Sequence, residues 1–211
     1  DVAEFSDYFI DALAFGSNIR LGEEQIRKFK PKFVAVSDKK AADLLGLCNV
    51  VFFSPEDLSI IKNGPSERRR FVDMELCQLD NFYLYNLNHY NKIVNQRNKL
   101  LKDLYINPSL RETLNIWDMQ LVSFGSKIIE RRIKFVDQLN EIICDIHKNL
   151  SGGKEFLKIV YEPEVTIEDY EKKIFNNQER DIKLKMTTVG PHRDDFSFMV
   201  TKLDEEGNAI E

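Results

Sequence analysis

Two charged strings hold most of the side chains in this chain that could do chemistry. One is Gly190-Pro191-His192-Arg193-Asp194-Asp195, and the other runs Gly64-Pro65-Ser66-Glu67-Arg68-Arg69-Arg70-Phe71. Imidazole and carboxylates supply proton shuttles and hard oxygen ligands, so His192, Arg193, Asp194 and Asp195 are candidates for an acid/base or metal cluster. The competing reading is a charged turn running into a strand, where Asp caps backbone amides and Arg pairs locally. Arg68, Arg69 and Arg70 also read two ways. Guanidinium forks suit phosphate oxygens, hence DNA; alternatively they are solvated at a helix start and neutralised by Glu67, Asp73 and Glu75. Trp117, Tyr83 and Tyr90 have the faces for base stacking but lie on an apolar stripe, which favours core packing. His89 and His147 have no partner at metal-ligand spacing, so no metal site is expected. Cys48, Cys77 and Cys144 are isolated and predict buried thiols in a reducing cytoplasm. No Gly-x-Ser-x-Gly, His-Glu-x-x-His or Gly-x-x-x-x-Gly-Lys-Ser/Thr string occurs. Lacking the last, the chain has no phosphate-cradling loop for a self-contained NTPase.

The elements that position these strings follow from periodicity. Residues 8–45 read as β-α-β-α, with strands at 8–15 and 33–36, a helical face through Gln25, Ile26 and Phe29, and a second helix to Leu45. Residues 49–53 form a further strand candidate, Pro55 starts a helical turn, and Ser66 is a candidate N-cap. Leu76, Leu79, Tyr83, Leu87, Tyr90, Val94, Arg97, Leu101 and Leu104 recur by threes and fours. After Asn107-Pro108-Ser109 the spacing resumes from Leu110 to Ile146, with one break at Arg131 and Arg132. Two such stripes predict an antiparallel helical hairpin, 76–104 against 110–146, the second helix reaching roughly 60 Å. Leu150-Ser151-Gly152-Gly153 ends it. A strand at 156–161, a helix from Thr166 to about 177, weak alternation over 183–188 and a strand at 196–200 complete the pattern, before an acidic tail over 201–211.

With 211 residues the chain is long enough to bury a core. No apolar run approaches the ~18–20 residues of a membrane span, and the first residues are not a signal peptide. A net charge of −5 argues against a protein coated in cationic surface, so DNA binding by this chain alone should be weak and salt-sensitive.

The string from Asn49 to Leu58, the run Gly64 to Asp73, the segment Tyr90 to Lys102, and Thr187 to Asp195 together resemble the RecF family over about 46–200. That resemblance implies an ABC-type DNA replication and repair protein that dimerises around ATP and Mg, binds DNA, and helps load RecA at gaps in the recombination and SOS pathways. It implies that the hairpin is the family's protruding arm. Arg68–Arg70 and His192–Asp195 then occupy family-motif positions near the nucleotide-bearing lobe. The family's Walker A, signature and Walker B strings are absent, so no ATPase activity and no cofactor are expected of this chain. Residues 9–45 resemble the NADPH-binding domain of 1-deoxy-D-xylulose 5-phosphate reductoisomerase. That likeness puts Gly16, Ser17 and Asn18 at the cofactor's adenosine end, without the glycine-rich turn that holds a pyrophosphate. The expected architecture is mixed α/β. A reductoisomerase-like piece (1–45) precedes a β/turn segment (46–75), the helical arm (76–150), a return segment (151–200) and the tail, as an apparent chimera with an incomplete ABC-type lobe. The alternatives are an NADPH-binding reductoisomerase of isoprenoid biosynthesis and a coiled-coil interaction module.

Overall fold

The computed structural model describes residues 12–15, 19–29, 33–36 and 59–204. The expected helix to Leu45, the strand at 49–53, the Pro55 turn, the Gly16-Ser17-Asn18 turn and Cys48 lie outside the described residues. In the N-terminal part, β1 (Ala12–Phe15) and β2 (Phe33–Val36) pair in parallel, with Ala12 opposite Phe33 and Phe15 opposite Val36. Helix α1 (Ile19–Phe29) lies between them in sequence and stops before Lys30-Pro31, where proline bars continuation. This is the β-α-β unit that the sequence predicts.

After the short helix α2 (Ser59–Lys62), α3 (Pro65–Leu79) starts with Gly64 as N-cap and Pro65 in its first turn, not with Ser66. The first long stripe then divides. Asp80 interrupts it by accepting the backbone N–H groups of Phe82 and Tyr83 at 2.9 and 3.1 Å. It thereby opens a new helix, α4 (Asn81–Asp103). A 3-10 turn at Pro108–Thr113 follows, then the 37-residue α5 (Leu114–Leu150), about 55 Å long at 1.5 Å per residue. Helices α4 and α5 pack side by side as the predicted hairpin. Leu76, Leu101, Leu114, Leu121 and Ile128 are almost wholly buried, each contributing about 1.5–3 kcal/mol of apolar transfer. The seam does not extend the full predicted length: Leu79, Ile142 and Ile146 are exposed.

Gly152 and Gly153, both in the left-handed region, end α5 and turn the chain into β3 (Glu155–Glu162). Its antiparallel partner is β4 (Asp195–Lys202), with Glu155 opposite Lys202 and Glu162 opposite Asp195. Thr201 and Lys202 therefore belong to this strand and not to the tail. On α5, Asn140 accepts the Ile159 N–H and donates to the Ile159 carbonyl, both at 2.8 Å. One side chain thus satisfies β3 where a third strand would pair. Between the strands lie α6 (Ile167–Asn176), capped by Thr166 on the Asp169 N–H, and α7 (Gln178–Leu184). Residues 183–184 are helical, so the weak alternation there does not mark a strand. Asp181, within this helix, is held by buried partners.

Tyr170 of α6 sits where α5 has Gly125. A Cβ at that glycine would lie 2.5 Å from the Tyr170 ring, and one at Gly190 would meet the hydroxyls of Tyr90 and Tyr170. Gly125→Ala should therefore destabilise the fold by about 1–3 kcal/mol through overpacking. Urea denaturation checks this, and an unchanged midpoint would refute the close approach.

Candidate functional site

The Gly-Pro-His-Arg-Asp-Asp string is a 3-10 turn at Pro191–Arg193 leading into β4, and the hairpin grips it through buried charge. Arg132, in the α5 seam, is 1% exposed. Its guanidinium donates to Tyr83 Oη at 3.1 Å, the Pro191 carbonyl at 2.7 Å, Asp194 Oδ2 at 2.9 Å and Asp73 Oδ1 at 2.7 Å. Asp194 in turn accepts the Tyr161 hydroxyl and the Glu164 N–H. Burial alone would lower the Arg132 pKa, but Tyr83, Asp73, Tyr161 and Asp194 reverse this and hold it well above the usual value. Burial raises Asp194 against the pull of Arg132. Helices α3, α4 and α5, the turn and strand β3 all meet at this one cation.

A second node lies farther along the hairpin. Arg97 of α4 is fully buried and donates to Asp118 of α5 at 2.6 Å, Asp181 of α7 at 2.7 Å and Thr187 at 3.0 Å. Gln178 completes Asp118, and Thr188 completes Asp181 through both its N–H and its hydroxyl. Asn98 accepts the N–H and hydroxyl of Thr187. The segment entering the turn is thereby tied to α4.

His192 joins the two nodes. Its Nε2 lies 3.1 Å from the Thr187 carbonyl, which can only accept, so Nε2 carries the proton. Nδ1, 2.7 Å from Tyr90 Oη, therefore accepts from that hydroxyl. Tyr170 Oη stands 3.2 Å from the same oxygen. Burial depresses His192 to about 4, leaving a neutral imidazole with both nitrogens occupied. It acts as a latch and has no free nitrogen to abstract a proton.

The predicted site residues thus separate. His192, Asp194 and Asp195 face different partners and form no acid/base or metal cluster; Arg193 is exposed and reaches the Thr187 carbonyl. Among the described residues, no three His, Cys, Asp or Glu side chains converge as a metal ion would require. Arg68 is spent on Asp195, at 2.7 and 2.9 Å, and on the Asn63 carbonyl at 2.6 Å. Their bond raises Arg68 and holds Asp195 below the ordinary carboxylate range. Arg69 donates to the Asp194 carbonyl, and burial lowers its pKa. Only Arg70 of the three is exposed, so the fold does not build a three-arginine phosphate patch. Tyr83, Tyr90 and Trp117 pack in the interior as expected, and Cys77 is a buried thiol pushed up to about 12. Sequence reasoning missed Asp118, Tyr161, Asp181 and Thr187, and set Asp73 against Arg68–Arg70 where the structure pairs it with Arg132. The signal available was two arginines, Arg97 and Arg132, on an apolar seam, each of which demands a buried acceptor.

This arrangement, a helical hairpin locked by buried arginines onto the turn beside an antiparallel strand pair, matches a fragment of an ABC-type ATPase fold. The DNA replication and repair protein RecF of Lachnoclostridium phytofermentans is 57% identical over 182 residues, covering 85% of this chain and 51% of that protein. RecF of Lachnospira eligens is 52% identical over 200 residues, covering 92% and 55%. Two solved structures of the recombination mediator RecF in the RecFOR pathway, one with ATP and one with ATPrS, superimpose with TM-scores of 0.70 and 0.69. Both are 30% identical and cover 79% and 82% of this chain, and 46% and 47% of theirs. No family model matches. Over the stretch matched, the chain is strongly homologous to RecF proteins, and it spans about half the length of the curated relatives it matches. Residues 46–211 alone cannot supply 92% of the chain, so the match reaches into the segment that resembles a reductoisomerase.

Arg132→Met should cost about 3–5 kcal/mol, because it strands Asp194 and Asp73 without their cation. Arg131→Met, which breaks only the half-exposed pair with Asp80, should cost about 1 kcal/mol or less. Equal losses in urea denaturation would refute the node. His192 titrates near 4 when folded and 6.5 when not, so the unfolded chain holds the extra proton between those values. Stability therefore falls as pH drops from 6.5 to 4, by on the order of 2–3 kcal/mol. His192→Gln should flatten that limb of the pH profile, and an unchanged slope would count against the buried latch.

Proposed function

We propose that these residues form the arm and arm base of a RecF-type protein acting in DNA replication, repair and recombination. The carrying observation is the 57% identity to a RecF protein over 182 residues. In this reading the hairpin is a lever whose base moves with the Gly-Pro-His-Arg-Asp-Asp turn, because Arg132 and Arg97 bind both. A shift of the turn, near the lobe that holds ATP and Mg in the family, would carry α4 and α5 as one body. ATP-dependent DNA binding, loading of RecA at gaps, contact with RecF-pathway proteins, homodimerisation and a role in the SOS response are the activities proposed for a protein with these residues in frame. A cytoplasmic setting fits, and among the described residues no helix is long and apolar enough to cross a membrane.

The 211 residues alone are proposed not to hydrolyse ATP, since no phosphate-cradling string occurs in them. DNA binding by the chain should be weak and fall steeply with salt. Fluorescence anisotropy on labelled duplex between about 50 and 200 mM salt should show at least a tenfold loss. Saturable one-to-one ATP binding with turnover would overturn the first expectation, and salt-independent DNA binding the second. Fluorescence titration with NADPH should show no binding; a saturable signal would favour the reductoisomerase reading instead.

A further inference from the structure

The aromatic residues that the sequence marks for base stacking are buried, but a different set is exposed. Phe82 and Tyr85, on the outward face of α4, are 60% and 53% exposed. Tyr85 and His89 rings lie 4.0 Å apart by centroid, and His89 stacks on Phe124 of α5 at 5.3 Å and 14°. Lys127 caps the group, its Nζ 5.6 Å from the Phe82 ring and 5.7 Å from the Phe124 ring. His89 donates Nδ1–H to the Tyr85 carbonyl at 2.8 Å, which fixes its ring in the row.

The charge on this face differs from the rest of the chain. The whole protein is −5, yet residues 81–102 contain no Asp or Glu. Lys92 and Lys99 are exposed and continue the Phe82, Tyr85, His89 row at helical spacing. Two acids that flank the row in sequence are engaged, Asp80 with Arg131 and Glu130 with Lys134. A core explanation fails for rings this exposed, since neither Phe82 nor Tyr85 buries most of its surface. Planar apolar faces interleaved with lysines, on a stretch of α4 that holds no Asp or Glu, match unpaired bases on a phosphate backbone, where each base offers a π-face and each linkage a negative charge.

We propose that the outer face of α4 and α5 around Phe82, Tyr85, His89, Phe124 and Lys127 binds unpaired nucleic-acid bases. The proposal rests on the DNA-binding reading above and names the part of the arm that does it. Rings accept bases by stacking, and Lys127 with Lys92 and Lys99 meets the phosphates. Recognition would be tolerant of sequence, because stacking does not read base edges.

The test uses the full chain with three fluorescein-labelled probes: a dT oligomer, an abasic oligomer of equal length, and a duplex. Wild type should bind dT more tightly than the abasic strand. Phe82→Ala with Tyr85→Ala should lower dT affinity by at least about tenfold, to the abasic level, and leave duplex affinity unchanged. Lys127→Gln should weaken dT and abasic strands alike and reduce the salt slope. Tyr85→Trp keeps a ring, and its emission should be quenched by dT but not by the abasic strand. Duplex binding with equal dT and abasic affinities would sink this site while leaving the DNA-binding reading intact. Absence of binding to all three probes would sink both. An oligoglutamate peptide that binds as tightly as dT, and is weakened equally by the alanine pair, would show a protein-docking face and overturn the proposal.

Discussion

A guanidinium taken out of water must find hydrogen bonds inside the protein, and this fold is arranged around that demand twice. Arg132 meets it through all three nitrogens, and Arg97 through Nε and Nη1, its Nη2 having no partner. An uncompensated buried charge costs several kcal/mol, comparable to the whole stability of a domain. Arg132 and Arg97 can therefore be buried only where α3, α4, α5, α7 and the turn arrive together to supply oxygens. Apolar burial brings the helices together without specifying their register. The two arginines specify it: sliding α5 along α4 would remove Asp118 from Arg97 and Tyr83 from Arg132 at once. The same logic joins a local turn to a long lever, because the acceptors come from both.

The hairpin and the strand pair were legible because their signal is periodic. Three-and-four spacing over 76–146 reflects one buried face, which the structure keeps except at Leu79, Ile142 and Ile146, and the apolar run 156–161 is the strand it reads as. The division at Asp80 was not legible as a break, because the apolar spacing passes through it unaltered. What divides the helix is a side-chain oxygen accepting two N–H groups, and an Asp at that position reads equally well as solvated surface. The nodes were half legible. Arg97 on a core stripe and the interruption at Arg131 and Arg132 announce buried charge, but their acceptors lie 21 to 90 positions away in sequence. Nothing in a single sequence marks Asp181 as a partner over Asp169, which instead lies exposed at the start of α6.

Adjacent residues with the same chemistry can be put to opposite uses. Arg131 and Arg132 differ by one position, about 100° around α5, and that rotation takes one guanidinium to a half-exposed pair and the other to the centre of the fold. Arg68, Arg69 and Arg70 repeat the pattern. The first is bidentate to Asp195, the second reaches the Asp194 backbone, and the third faces water. A run of like charges in a sequence therefore records helix geometry as much as a binding surface.

Aromatic residues divide on the same principle, and the division separates holding from contacting. Tyr83, Tyr90, Tyr161 and Tyr170 are buried or nearly so, and each hydroxyl enters the polar network. Burial pushes all four well above the usual phenol range, so they remain neutral donors across ordinary pH. Phe82 sits one position before Tyr83 and Tyr85 two after it, rotated away from the seam. A helix that buries one aromatic row against its partner must turn the neighbouring positions outward. Natural surfaces usually fill such positions with charge, as α5 does with Glu130 and Lys134. On α4 they hold rings, with lysine nearby and no acid for 22 residues. Stability gains little from rings left this exposed, so the arm's interior accounts for its rigidity and its outer aromatic row calls for a ligand.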